Sequence, residues 1–218
     1  MHIFLKKVKV YSRTLGRKVR ISTLKRSALY SEELGIDLRK AADEELSNWF
    51  LASILFGTRI TETIAKNTYR SFERHHLLEP RKILEAGWDF LVNPVMREGG
   101  YVRYDEKTST KILKICQTLL AEYGGSLNTL HKKSSDSYDL ENRVMQFYGV
   151  GPVTMNIFLR ELRPFWKKSN PEPLPVVKEL ARKYGINLDQ YEQKSLAFAR
   201  FEAGLIRLRK TGKNPSIS

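Results

Sequence analysis

The chain has 218 residues, 41% of them hydrophobic and 28% charged, a balance that suits one large or two small globular domains and argues against whole-chain disorder, collagen or coiled coil. Its single cysteine, Cys116, and four histidines without ligand spacing exclude an internal disulfide, a cysteine-rich zinc site and a four-cysteine iron–sulfur cluster. The formal net charge is +14, which points to a polyanionic partner or to a protein kept soluble by charge.

Along the chain, Lys6–Ser12 and Arg17–Ser22 alternate enough to permit a hairpin, but nothing after them supports a sheet, so the fold class is all-α. Asp43 is placed to cap a helix to Phe56, with Leu46, Trp49, Phe50 and Ile54 at helical spacing and Gly57 as its stop. The run Trp49–Phe56 is the longest apolar one and falls far short of the roughly 20 residues of a membrane span. With a basic N-terminus lacking a long apolar stretch behind it, the expectation is an intracellular protein of the cytoplasm or nucleoid, monomeric and away from membranes.

A second helix is predicted over 60–76, stopped by Pro80, and a shorter one over 81–92 before Asn93-Pro94 and Gly99-Gly100. Trp88 is assigned to its core stripe. The clearest helix is 105–123, where Ile112, Ile115, Cys116, Leu119, Leu120 and Tyr123 form one apolar stripe ended by Gly124-Gly125; Cys116 is therefore a core thiol. A helix capped by Asp136 or Ser137 runs to Phe147, and another runs from Pro152 to Leu162. Four of the eight prolines crowd the following connector, after which helices are predicted over 176–184 and 189–209.

The charge is unevenly placed. Nine Lys/Arg and no acid lie in residues 1–30, four more and no acid in 203–218, and the rest of the chain is nearly neutral. Clusters of this kind neutralise phosphates and release counterions on nucleic acid. A solvated basic surface and an anionic membrane surface are the alternatives.

Leu140–Leu162 (LENRVMQFYGVGPVTMNIFLREL) brings two amphipathic helices together through Gly149-Val150-Gly151-Pro152. Glycines at 149 and 151 are expected to supply positive φ, and Pro152 suits the first helical position. Free amides of the turn and of the following helix N-terminus, including those of Val153 and Thr154, can cradle a phosphate, while Val144, Met145, Val150, Ile157 and Phe158 lock the helices. An ordinary αα-hairpin with a glycine turn is the plainer reading.

These residues resemble the helix-hairpin-helix DNA glycosylases of the endonuclease III type. Asn48–Glu73 is similar to that family's first barrel helices, Lys107–Ser126 to the lysine-to-glycine-glycine helix before the hairpin, and Val177–Gly185 (VKELARKYG) to the helix after the connector. The resemblance runs from about Ala42 to Gly185 with the blocks in order. It implies a six-helix barrel domain over 44–163 containing the motif, a second helical domain from 1–43 and 164–218, and duplex DNA with a damaged base bound in the cleft between them. It also implies a monovalent cation held by the main-chain carbonyls of Met145, Phe147 and Gly149, and otherwise no cofactor.

Val153 stands where lyase members carry an attacking lysine, so the expected activity is monofunctional. Leu174 stands at the family's catalytic aspartate, and Glu172, in the same connector, is the substitute carboxylate, with Glu161 and Glu179 as alternatives read as surface ion-pair partners. Arg59 falls at the intercalating position, to wedge into DNA or contact phosphate. Lys167 and Lys168 add cations near the connector, and Phe165-Trp166 is assigned to the base pocket or to packing between domains. The function so implied is hydrolysis of the N-glycosidic bond of a damaged base; the alternatives are a non-catalytic DNA-binding protein of the same fold and an RNA-binding helical module.

Overall fold

The computed structural model describes residues 21–211, and every regular element among them is helical. The hairpin expected over Lys6–Ser12 and beyond lies outside the described residues, except that Ile21–Leu24 forms a short helix, α1. The chain divides into two compact units, one of residues 30–172 and one of the two chain ends.

The larger unit begins with the single turn α2 (Tyr30–Glu33) and continues through α3 (Asp43–Phe56), α4 (Glu62–Arg74) and α5 (Pro80–Phe90). A wide turn, Leu91–Met96, leads to α6 (Asp105–Tyr123), α7 (Leu127–Lys133), α8 (Ser137–Gln146) and α9 (Pro152–Leu162). Helix α3 is the hub: Leu46, Trp49, Ala52 and Leu55 are fully buried, and the Trp49 Nε1–H donates to the Phe158 carbonyl of α9 at 3.0 Å. Phe50 lies against Phe158 and Phe147, with ring centroids 4.8 and 5.3 Å away, in the tilted geometry aromatic pairs prefer. Helix α6 buries the stripe the sequence predicts, and Gly124 ends it in the left-handed conformation (φ 63°).

Two local expectations are corrected. The residue preceding α3 is Ala42, which makes no side-chain cap. Asp43 instead accepts from the Ser126 hydroxyl (2.9 Å) and the Asn128 amide (3.1 Å), tying α3 to the start of α7, a helix the sequence reading passed over. Trp88 is exposed rather than core, because α5 breaks at Gly87 (φ 75°, ψ 175°) and the residues beyond the break leave the phase of its buried face.

The smaller unit holds α1, α10 (Pro175–Lys183) and α11 (Leu196–Thr211). Leu24, Val177, Leu180, Phe198, Phe201 and Leu205 form its core. Close approach is secured at Gly204, where a Cβ would come within 2.5 Å of the Ser27 hydroxyl oxygen. Arg200 donates to the Ser27 carbonyl at 3.0 Å, fixing α11 to the loop after α1.

Candidate functional site

The turn between α8 and α9 is built from both sides. Asp136 caps α8 by accepting from the Asp139 amide at 2.8 Å, and Leu140, Val144, Phe147 and Val150 are buried. The Val150 N–H closes the turn on the Phe147 carbonyl at 3.0 Å. Gly149 takes φ 69°, a conformation that side-chain-bearing residues rarely adopt. Gly151 does not: its φ is −105°, extended backbone open to any residue, and a Cβ there would meet nothing within 4 Å. Folding therefore explains Gly149 but leaves Gly151 unexplained, and the space over Gly151 is free for an approaching group.

Helix α9 starts at Pro152 with no side-chain cap, so the amides of Val153 and Thr154 occupy a first turn that supplies them no acceptor. The Val153 side chain is exposed, as is that of Tyr148. The Thr154 side chain is buried, and a Cβ on Gly57 would fall 2.0 Å from its hydroxyl oxygen. Thr154 thus offers its amide alone, and that contact brings the loop after α3, with exposed Arg59, next to the start of α9.

Sequence reasoning passed over Lys111. Its side chain lies across the turn, with Cδ 3.2 Å from where a Gly149 Cβ would be. Burial pushes its ammonium below the usual lysine range, and among the described residues it has no hydrogen-bond or ion-pair partner. The signal was present only as a lysine in the helix before a glycine turn, since nothing in the sequence says that α6 passes beneath that turn.

One helical turn beyond Pro152, Asn156 is buried and its side-chain N–H donates to the Glu172 carbonyl at 2.7 Å. The buried Arg163 donates to the Pro171 carbonyl at 2.6 Å. The connector is thereby held at two consecutive residues, with Glu172 exposed. Glu141 of α8 faces the same place. Burial first, and then the negative charge of Glu172, push its carboxyl above the usual glutamate range, against the opposing pull of Arg163.

Several expected site residues have other work. Trp166 is buried, stacked on His131 (centroids 4.6 Å apart, 9° between planes) and edge-on to Phe158, so it belongs to the core and not to an open pocket. Phe165 beside it is half-buried. The Lys168 ammonium donates to the carbonyls of His131 (2.9 Å) and Ser134, closing the end of α7, while Lys167 is exposed. Glu161 is wholly buried, not a surface ion-pair partner: it accepts the Tyr30 and Ser31 amides, both at 3.1 Å, and lies 3.8 Å from the buried Arg160. Glu179 is exposed on α10, and Leu174 is the residue preceding that helix.

Among the described residues no group of three His, Cys, Asp or Glu side chains is placed to hold a metal ion, and no helix is long and apolar enough to cross a membrane. No family model, curated protein or solved structure matches the chain.

Proposed function

We propose that this chain is a helix-hairpin-helix DNA glycosylase of the monofunctional kind, gripping one strand of duplex DNA through the α8–α9 turn and hydrolysing the N-glycosidic bond of a damaged base with Glu172 as the essential carboxylate. One observation carries the reading: α9 bears both the open glycine turn at its start and, one turn later, the Asn156 that holds the Glu172 main chain. Four residues of helix rise about 6 Å, so a phosphate on the turn and a sugar of the same strand fall within reach of one rigid element.

As the base departs, positive charge develops on the sugar, and a carboxylate aimed at it stabilises that charge and orients the attacking water. Glu172 is solvent-exposed, and the Glu141 carboxyl facing it is raised by burial above the usual glutamate range. Val153 offers no amine, so attack is by water. The resemblance also suggests a monovalent cation on the carbonyls of Met145, Phe147 and Gly149. The Phe147 oxygen, which accepts from Val150, retains a second lone pair for it. Such a cation would add positive charge at the turn, facing a phosphate.

A second reading, a non-catalytic DNA binder, is favoured by Leu174 at the family's acid position. One assay separates them: duplexes each bearing one alkylated, deaminated or oxidised base are incubated with the protein, then treated with alkali to split abasic sites. Strand breaks that fall at least ~10²-fold with Glu172→Gln, at unchanged DNA affinity, support the glycosylase. Breakage undiminished in Glu172→Gln removes that residue from the chemistry, and no breakage on any lesion leaves the binder.

A further inference from the structure

The outward face of α6 carries a feature that the glycosylase reading does not use. Lys107 and Lys114 are exposed on the side away from the buried stripe, the half-buried Lys111 lies between them at helical spacing, and exposed Arg103 precedes the helix. None of the four has a carboxylate within ion-pair distance among the described residues, whereas Lys66, Arg70 and Arg74 of α4 are all paired with glutamates. An amphipathic helix explains solvent-facing lysines. It does not explain the exposed rings set among them.

Tyr148 lies under the Lys114 ammonium, 4.0 Å from the ring centroid, and Tyr104 under the Arg103 guanidinium at 5.1 Å. Trp88 lies alongside, its Nε1–H donating to the Thr110 hydroxyl (3.1 Å) and the Glu106 carbonyl (3.3 Å). All three rings are exposed. Tyr104 moreover adopts φ 67° immediately before α6, where glycine or asparagine would serve the chain better. Folding alone gives no reason to strain a bulky aromatic there and leave it in solvent.

Rings alternating with unpaired cations are what a single-stranded polynucleotide requires. Each base offers a face for stacking and each phosphate a charge, with no need to read sequence. From Tyr104 to Lys114 the chain rises about 15 Å, room for a few nucleotides of an unpaired strand. At its far end the strip meets the α8–α9 turn through Lys111. Duplex DNA would engage the cations but leave the rings idle, since its bases are stacked on each other.

We propose that the α6 face, bounded by Tyr104, Trp88 and Tyr148, is a track for single-stranded DNA that continues from the turn. This deepens the DNA-binding reading by naming a second form of the partner, an unpaired strand next to the gripped duplex.

Trp88 supplies the probe: of the three tryptophans it is 39% exposed, while Trp49 and Trp166 are 0% and 2%. Oligothymidylate of about a dozen nucleotides and a duplex of equal length are titrated separately, following tryptophan fluorescence and the anisotropy of labelled DNA. The wild type should bind the single strand and lose fluorescence, and Trp88→Phe should abolish that loss. Tyr104→Ala, away from the turn, should weaken single-strand binding about tenfold without changing duplex affinity; Tyr148→Ala should weaken single-strand binding by as much, and Tyr148→Phe should restore it. Single-strand affinity unchanged in both alanine variants, or an equal loss for duplex in Tyr104→Ala, overturns the track. Duplex binding without single-strand binding overturns it and spares the duplex reading; single-strand binding alone supports the track and removes the duplex reading; binding of neither removes both.

Discussion

Replacing Glu161 with alanine tests the interior of the larger unit most severely. The carboxylate is fully buried, accepts two amides at the start of α2 and is the acid next to Arg160, itself buried with its Nε unpartnered and its guanidinium 5.2 Å from the Tyr30 ring. Stranding each buried N–H costs about 1–3 kcal/mol. Removing one partner of a buried charge pair costs about 3–5 kcal/mol in all. The two costs overlap, so the expected loss for Glu161→Ala is about 4 kcal/mol, or roughly 8–16 °C in Tm for a protein of this size. Urea and thermal denaturation followed by circular dichroism measure it, and Arg160→Met added to Glu161→Ala should recover part by removing the stranded cation. Burial also pushes the Glu161 carboxyl above the usual glutamate range. The stability this group contributes is thus complete below the unfolded glutamate value and falls as pH rises through the folded one, so the wild type's advantage over Glu161→Gln should narrow with rising pH. A loss below about 1 kcal/mol for Glu161→Ala, or an advantage that widens with pH, would refute this account of α2 and α9.

Cys116 is pushed up to about 12 by burial, so native alkylation at pH 8 should run about 10³-fold slower than in denaturant; equal rates would place the thiol outside the core. Gly149→Ala, at φ 69°, should cost about 1–2 kcal/mol of stability, while Gly151→Ala, at φ −105° with open space around it, should cost under about 0.5 kcal/mol. Comparable losses at the two positions would contradict the turn geometry. Because Val153 holds the position of the lyase amine, borohydride should trap no covalent protein–DNA adduct. An adduct would reveal an amine nucleophile elsewhere.

Much of the larger unit could be read in advance because its helices bury one face. The stripe of α6, the Asp136 cap of α8 and Pro152 at the first position of α9 are local signals, and the observed helices begin where those signals fall. What stayed illegible has two physical causes. Helix α9 is buried along nearly its whole length, so periodicity could not distinguish Glu161 from a surface residue. Contacts distant in sequence did the rest: Lys168 closes α7 across 34 residues to Ser134, and Asn156 reaches the Glu172 main chain across 16. The candidate site shows the same division, since the glycine turn announced itself whereas Lys111 and Glu141 depend on which helix passes which loop. Trp88 failed for a narrower reason, the break at Gly87, which no count of apolar spacing anticipates.

The claim that duplex DNA is held through the α8–α9 turn is tested most directly by the affinity of a duplex measured against salt, for the wild type and for Gly151→Val. The variant's side chain fits the extended backbone at 151 but fills the space over the turn, so it should fold normally and bind at least tenfold more weakly. Each phosphate neutralised contributes about −0.9 to the slope of log K against log salt, so four contacts give about −3.6 in the wild type. A steep wild-type slope with weakened binding in Gly151→Val is the predicted result; a flat salt response, or wild-type affinity in Gly151→Val, would contradict the claim.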